Sequence, residues 1–211
     1  MPQPQNKIIT VGVTGASGAI FAQKTLALLE DDSRVGRIHL VVTEAGQRLI
    51  AEELGIASGD LKKLPSRILG RPCKKIEVLS NKDIGASIAS GSYLVDAMIV
   101  IPCTVGELAS IACGNCDDLV ARAADVMLKE ARKLILCVRD TPFNRIHLEN
   151  MLRAQAAGAV IMPAVPSFYH RPKTIDDLVT QYVCRVLGQA GLPQDKMFRW
   201  TGSAGGRKVE V

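Results

Sequence analysis

The sequence predicts an α/β fold, in which a parallel β-sheet is covered by helices on both faces. Short runs rich in β-branched residues alternate with longer helix-like segments along most of the chain. This alternation is typical of strands that are buried on both faces and joined by crossover helices. The chain has 211 residues and an apolar content of 47%, which suits one domain of ordinary size. We therefore predict a single domain.

The predicted elements follow one another as strand and helix in turn. The strands cover residues 8–13, 38–43, 75–79, 97–103, 134–138 and 159–163. The helices cover residues 19–30, 44–54, 105–113, 119–132, 146–157 and 175–190. Residues 55–86 carry Gly, Pro and Lys without a clear period, so we expect a loop-rich connection around the short third strand. The order is Rossmann-like (flavodoxin-like), and we expect an ordered core at about residues 7–200 with mobile tails at 1–6 and 201–211.

Composition excludes several classes of protein. The longest apolar runs, residues 97–102 and 154–165, are far shorter than the roughly 20 residues that span a bilayer. The amino terminus lacks the pattern of a secretory signal, so we expect a cytoplasmic protein, away from membranes, with its six cysteines reduced. A net charge of +5 spread along the chain, with only 4% aromatic residues, favours anionic ligands and does not indicate nucleic acid.

Small and polar residues follow several predicted strands, at the edge where α/β sheets bind ligands. They are Thr14 to Gly18 after the first strand, Thr43 after the second, Pro102 to Glu107 after the fourth, and Arg139 with Asp140 after the fifth. Gly12, Gly15 and Gly18 do not have the Gly-x-Gly-x-x-Gly spacing, which disfavours a dinucleotide site. A cofactor could still lie against this backbone and bond with Ser17, although many such turns are purely structural.

Arg139 is the most informative residue of this edge, because it directly follows the apolar strand 134–138. A guanidinium binds a phosphate through paired donors. The neighbouring carboxylate of Asp140 could transfer a proton. The alternative interpretation is a structural ion pair between these two side chains at the end of a strand.

Other side chains are candidates for a second anion site. Arg122 and Lys129 are seven residues apart, about two helical turns, so they project from nearly the same face of a helix. That face could bind an anion, or it could be an ordinary solvated surface. Tyr169 and Arg185 are good phosphate donors, and each is equally common as a plain surface residue.

Metal and hydrolase chemistry have little support in the sequence. Cys113 and Cys116 have the spacing of a zinc half-site, but no second Cys or His pair follows at ligand distance. The three histidines are scattered, and no Gly-x-Ser-x-Gly elbow is present. We therefore expect no metal and no hydrolase triad.

Several segments of the chain occur together in a characteristic order. They are residues 12–20, 89–92, 102–104, 118–130, 146–152, 166–170 and 199–200. Their combination resembles the UbiX/Pad flavin prenyltransferases over roughly residues 7–200, with a poor match at 55–86. The resemblance implies a metal-independent enzyme that joins the dimethylallyl group of dimethylallyl monophosphate to N5 and then C6 of reduced FMN. The prenylated FMN would serve a UbiD-type decarboxylase.

The resemblance also implies roles for individual residues. FMN would be held by Gly15, Ala16, Ser17, Thr43, Thr104, Val105, Gly106, Glu107 and Arg139, with Ser90 near its reactive edge. The donor would be held by Lys129, Tyr169 and Arg185, with Arg122 nearby and Trp200 closing the site. The catalytic candidates are Ser17, Glu53, Ser90, Lys129 and Asp140. The implied assembly is a homododecamer with sites at subunit junctions, where Glu53 would reach a neighbouring subunit's site.

Asp140 departs from the family pattern, which has the longer Glu at this position. A carboxylate that is one methylene shorter stops about 1 to 1.5 Å short of the same target. Proton transfer across that gap requires a bridging water or a shift of the backbone.

Two other functions compete with this interpretation. An FMN-dependent cysteine decarboxylase of related fold needs a catalytic His near the first helix, and residues 1–37 contain no His. A noncatalytic FMN carrier or accessory subunit would keep the flavin-binding residues, but it would have no use for Lys129, Tyr169 and Arg185. The sequence therefore favours the prenyltransferase.

Overall fold

The protein is described by a computed structural model over residues 6–57 and 59–200. The strands are β1 (Lys7–Val13), β2 (Val35–Val42), β3 (Ile76–Leu79), β4 (Ala97–Cys103), β5 (Lys133–Val138) and β6 (Val160–Ile161). The helices are α1 (Ala19–Asp31), α2 (Glu44–Leu54), α3 (Leu64–Leu69), α4 (Val105–Cys113), α5 (Leu119–Lys129), α6 (Arg145–Ala156) and α7 (Ile175–Gln189). Short 3-10 turns lie at Leu61–Lys63 and Ser87–Ala89.

These six strands form one parallel sheet in the order β3-β2-β1-β4-β5-β6. The chain moves outward from β1 through β2 to β3, and then crosses back so that β4 pairs with the other side of β1. This is the Rossmann order, and without the short edge strand β3 it is the flavodoxin order. The predicted fold class is confirmed. The reversal between β1 and β4 marks the place at the carboxyl edge where ligands bind in such sheets.

Helices cover both faces of the sheet because the strand residues alternate between two apolar clusters. In β5, Ile135 and Cys137 pack in a cluster with residues of α1, α2, α3 and α7. Leu134, Leu136 and Val138 pack in the other cluster, with residues of α4 and α5. Burial on both faces is why these parallel strands are continuous apolar runs in the sequence. It also brings the amino termini of α1, α2 and α4 to the same carboxyl edge.

The structure departs from the predicted elements mainly between β2 and β4. Residues 55–86 contain α3 as well as β3, and no helix was predicted there. Helix α3 has six residues, with Pro65 in its first turn and Gly70 in the left-handed conformation after its end. A helix of this length is too short to show a helical period. Helix α5 ends at Lys129 and not at residue 132, because Ala131 has a φ of 52°.

The predicted tails lie outside the described residues, apart from Asn6. Within residues 6–57 and 59–200, no helix combines the length and the apolar character that crossing a bilayer requires. The six cysteines are free thiols, as predicted.

Candidate functional site

The side chain of Thr14 fastens the end of β1 to the end of β4. Its hydroxyl donates a hydrogen bond to the carbonyl of Pro102 (2.8 Å) and accepts one from the backbone N–H of Thr104 (2.8 Å). Thr14 is buried, so these two bonds are shielded from water. The loops after β1 and β4 are therefore held side by side. Nothing in the local sequence pattern around Thr14 indicates a bond across two strands.

Packing against α2 explains the small residues of the first turn. A side chain at Gly15 would lie 2.5 Å from the Cβ of Ala45, and one at Gly46 would lie 2.5 Å from the carbonyl oxygen of Val13. Glycine at both positions lets α2 approach the end of β1 closely. Close packing against α2 thus explains why residue 15 is a glycine. The predicted contacts of Gly15 and of the buried Ala16 with FMN stay predictions.

The carboxylate of Glu53 lies at the amino terminus of α1 in its own chain. It accepts hydrogen bonds from the backbone N–H groups of Gly18 (3.0 Å) and Ala19 (2.7 Å). Partial burial favours the neutral acid, but hydrogen bonds from Ser17, Ala19 and Gly18 and the charge of Arg139 outweigh it and lower the pKa of Glu53. Ser17, Glu53 and Arg139 are thus brought together, and Glu53 itself fills the anion-binding end of this helix.

This position of Glu53 differs from the expected one. The resemblance implies that Glu53 reaches a neighbouring subunit's site, whereas its carboxylate is bonded to backbone groups of the same chain. The physical reason is the unsatisfied N–H groups at the start of α1, which attract the nearest carboxylate. No local motif predicts this, because Glu53 is 34 residues from Ala19.

Thr43 and Thr104 begin the helices that follow β2 and β4. The hydroxyl oxygen of Thr43 accepts a bond from the N–H of Gly46 (3.0 Å), and that of Thr104 accepts one from the N–H of Glu107 (3.0 Å). These are ordinary helix caps. Each hydroxyl keeps its own hydrogen for a further acceptor, so capping and the predicted contact with FMN are compatible.

Arg139 stands at the end of β5 beside the end of β4, where its backbone N–H donates to the carbonyl of Cys103 (3.0 Å). Its buried Nε has no hydrogen-bond partner within the described part of the chain. Asp140 accepts a bond from the N–H of Thr141 (2.8 Å), and among the described residues no ion pair joins it to Arg139. The alternative of a structural ion pair therefore finds no support, and the guanidinium has a donor to offer a ligand.

A second buried group that lacks a hydrogen-bond partner is the carboxyl group of Glu107, in the first turn of α4. Its side chain is 9% exposed, and its Oε1 has no hydrogen-bond partner among residues 6–57 and 59–200. Burial, and then the nearby charge of Asp118, raise the pKa of Glu107 to about 8. Arg139 Nε and Glu107 Oε1 are the unsatisfied atoms one expects where a polar cofactor binds, so the residues present fit FMN.

Helix α5 holds the segment after the second 3-10 turn along its side. Arg122 donates from Nε to the carbonyl of Ala89 (3.2 Å), and Arg132, just beyond the helix, donates to the carbonyl of Gly91 (2.6 Å). Ser90 lies between these two attachments and is exposed. Ser90 and Arg122 therefore lie near each other in one chain, and their predicted roles at the flavin and the donor stay predictions.

The structure does not bring Lys129 to the flavin edge of its own chain. Helix α5 starts beside the end of β3, and Lys129 is its last residue, about 15 Å along the axis from Leu119. Lys129 forms an ion pair with Glu130, and Arg122 forms one with Asp125 at 2.9 Å. Both cations thus have carboxylate partners in the single chain.

Tyr169 and Trp200 lie together in an aromatic cluster. Their ring centroids are 6.4 Å apart, and Phe198 lies 5.5 Å from Tyr169. Tyr169 is 47% exposed and Trp200 is 63% exposed. Arg185 is exposed on α7 and forms no ion pair with any described residue. These side chains are open to a ligand or to another subunit.

In the part of the chain that the structure describes, no group of three or more His, Cys, Asp or Glu side chains is placed to hold a metal ion.

Comparison with known sequences points to one family. A family model described as Flavoprotein matches residues 2–187. The flavin prenyltransferase UbiX of Halalkalibacterium halodurans is 44% identical over 194 residues, which cover 92% of this chain and 93% of that protein.

Two solved structures share the fold. A crystal structure of AnUbiX (PadA1) in complex with FMN and dimethylallyl pyrophosphate has a TM-score of 0.82 and 39% identity, and the match covers 94% of this chain and 99% of that chain. A dodecameric FMN-dependent UbiX-like decarboxylase from Escherichia coli O157:H7 has a TM-score of 0.82 and 39% identity, with 92% and 100% covered. The chain therefore belongs to the UbiX flavin prenyltransferases, within the flavoprotein family.

Proposed function

We propose that this protein transfers the dimethylallyl group of dimethylallyl monophosphate to N5 and then C6 of reduced FMN, with release of phosphate. The observation that carries the proposal is the convergence of Ser17, Glu53 and Arg139 at the switch point of a chain of the UbiX family. Reduced FMN supplies the nucleophilic ring atoms. The protein binds both reactants, excludes water and places charges around the leaving phosphate.

The FMN site lies where β1 and β4 diverge. Its proposed residues are Gly15, Ala16, Ser17, Thr43, Thr104, Val105, Gly106, Glu107 and Arg139. Arg139 offers a buried donor to an anionic or carbonyl oxygen of the cofactor. The lowered pKa of Glu53 keeps a carboxylate at this place near pH 7, so Glu53 can accept a proton, and Ser17 can pass one to it.

The donor site is proposed to form between subunits. Tyr169, Arg185 and Trp200 lie on the exposed carboxyl-terminal part of the chain, and Lys129 lies at the far end of α5. Phosphate binding by these residues next to FMN requires another copy of the chain. Exposed apolar side chains give copies a surface on which to pack, among them Ile146, Leu148, Leu152, Val165 and Phe168.

We propose a homododecamer, the assembly of the related UbiX-like decarboxylase from Escherichia coli O157:H7. In such an assembly Lys129 would exchange its pairing with Glu130 for the donor phosphate, and Arg122 would add to the positive potential. Ser90 would stand near the reacting edge of the flavin. Transfer of the product to a UbiD-type decarboxylase and a cytoplasmic location stay predictions.

The test is anaerobic incubation of the protein with FMN, dithionite and dimethylallyl monophosphate, followed by mass spectrometry of the released flavin. We expect a gain of one dimethylallyl unit for each flavin, with one phosphate released. Dimethylallyl diphosphate in a parallel arm tells the two donors apart. Recovery of unmodified FMN with both donors would contradict prenyl transfer and would support a noncatalytic flavin carrier. Decarboxylation of a cysteine-ending peptide would instead support the cysteine decarboxylase.

A further inference from the structure

One oxygen of the Glu107 carboxyl group is buried without a hydrogen-bond partner among the described residues and is therefore available to a ligand. Its backbone is fixed, because the N–H of Glu107 donates to Thr104, and the N–H of Thr104 donates to Thr14 at the end of β1. The side chain is 9% exposed, and its Oε1 lacks a partner in the described residues. An unsatisfied buried acid costs free energy unless something else binds it. It stands in the first turn after β4, at the proposed flavin site.

The charges around Glu107 favour its neutral form. Asp118, the first residue before α5, is held in place by the N–H of Ala121 (2.8 Å) and the side-chain amide of Asn81 (3.0 Å). Its charge is the one that acts on Glu107, in addition to burial, and the two together raise the pKa of Glu107 to about 8.

The other neighbours do not offset that charge. Burial, and then Glu107 itself, raise the pKa of the Cys103 thiol at the end of β4 well above its usual value, so this group is uncharged. The charged side chains of α6, which packs against α4, are exposed and comprise Arg145, Glu149 and Arg153. Among the described residues, Arg139 is the cation of the same proposed site, but neither it nor any other cation is among the groups that shift the pKa of Glu107.

We propose that Glu107 binds FMN as a neutral carboxylic acid, donating a hydrogen bond from its buried carboxyl group to an acceptor atom of the flavin. This inference rests on the proposed function, which places FMN at this edge. Flavin offers acceptors in its ring carbonyl oxygens and its unprotonated ring nitrogens. The reduced flavin carries negative charge near neutral pH, so a carboxylate at this place would repel it, whereas a neutral acid stabilises it.

The proposal gives FMN binding a pH dependence with a definite sign. Donating a hydrogen bond from the acid form means that bound FMN raises the pKa of Glu107 above its value of about 8 in the free protein. Binding then takes up a proton above pH 8. The affinity is constant from about pH 7 to 8, and Kd rises by up to about tenfold per pH unit above that. The second ionisation of a phosphate ester, near pH 6, is complete over this range.

The experiment is a titration of FMN fluorescence quenching between pH 7 and 9.5 with three proteins. Wild type should show the rise in Kd. Glu107→Gln keeps the size of the side chain and a hydrogen-bond donor without an ionisable group, so its Kd, whatever its value at pH 7, should not change with pH. Asp118→Asn keeps a good helix cap and removes the neighbouring charge, so the rise in Kd should begin at lower pH.

Each outcome decides something. A wild-type Kd that is flat to pH 9.5, or a Glu107→Gln variant that keeps the wild-type slope, overturns the role of Glu107 while leaving FMN binding intact. Failure of wild type to bind FMN at any pH overturns the proposed function. Circular dichroism of each variant at each pH confirms that the folded state is being compared. If Glu107→Gln is unfolded, Asp118→Asn still decides the question, and an unchanged onset of the rise overturns the proposal.

Discussion

The two halves of the proposed site are built in different ways. At the carboxyl edge of the sheet, Ser17, Glu53 and Arg139 are brought together within one chain, and Thr14 holds the loops after β1 and β4 side by side. By contrast, Lys129 and Arg185 lie at exposed places on different helices. The flavin half follows from strand order and helix caps, which a single chain determines. The donor half, as proposed, is completed by another copy of the chain.

The largest expected effect is in a subunit-mixing experiment, which tests whether the flavin half and the donor half come from different chains. Lys129→Ala and Arg139→Ala, each alone, should abolish prenyl transfer, because one lacks a donor contact and the other a flavin contact. When both variants are co-expressed with different tags and purified as hybrids, junctions with both wild-type residues should form. Random assembly makes about a quarter of the sites intact, so activity should return to about that fraction.

The control for mixing uses two changes from the same half of the site. Arg139→Ala co-expressed with Ser17→Ala should recover nothing, since Ser17 and Arg139 meet in one chain. If the Lys129 and Arg139 hybrids stay inactive although both tags are present, the two halves belong to one chain and the proposed junction is wrong.

Arg139→Ala should weaken FMN binding strongly. The change removes a buried, unpartnered donor and the positive charge that faces Glu53. We expect a loss of about 3 to 4 kcal/mol, or about 150- to 1000-fold in Kd, measured by fluorescence titration. Arg139→Lys keeps the charge without the forked donors and should recover part of the affinity. Equal affinity in wild type and Arg139→Ala would remove Arg139 from the flavin site.

Tyr169→Phe and Arg185→Ala should affect the donor and spare the flavin. Each removes one charge-assisted hydrogen bond to phosphate, so kcat/KM for dimethylallyl monophosphate should fall about 10- to 150-fold. The Kd for FMN should stay at its wild-type value, because both side chains are exposed and are assigned to the donor. Loss of bound FMN in both variants would move these residues to the flavin half.

The elements that carry the flavin half can be predicted from the sequence better than the positions of the donor residues. The strands and most helices were predicted because buried strands and amphipathic helices have periods that the chain itself displays. Helix α3 was missed since six residues show no period. The raised pKa of Glu107 was missed because it depends on burial and on Asp118, eleven residues away. Spacing placed Lys129 and Arg122 on one helix face, but spacing does not measure the distance from Lys129 to the flavin edge.

Asp140 gives the smallest expected effect, and it tests whether the flavin half is chemically complete. Asp140 accepts a bond from the N–H of Thr141 through Oδ1, and an Asn oxygen can accept the same bond, so Asp140→Asn preserves the turn. A directly placed acid or base contributes about 100-fold or more. Because this carboxylate is one methylene short and must act through water, we expect about a tenfold slower formation of the second bond to the flavin.

The measurement is single-turnover anaerobic kinetics, with phosphate release and appearance of the final product followed separately. Asp140→Asn should delay the product much more than the phosphate, because the proton is needed only after the donor has lost its phosphate. Asp140→Glu restores the longer reach and should equal or exceed wild type. If Asp140→Asn keeps the full rate of both steps, Asp140 serves only the turn at Thr141, and the proton must move through solvent, through Glu53, or through the released phosphate.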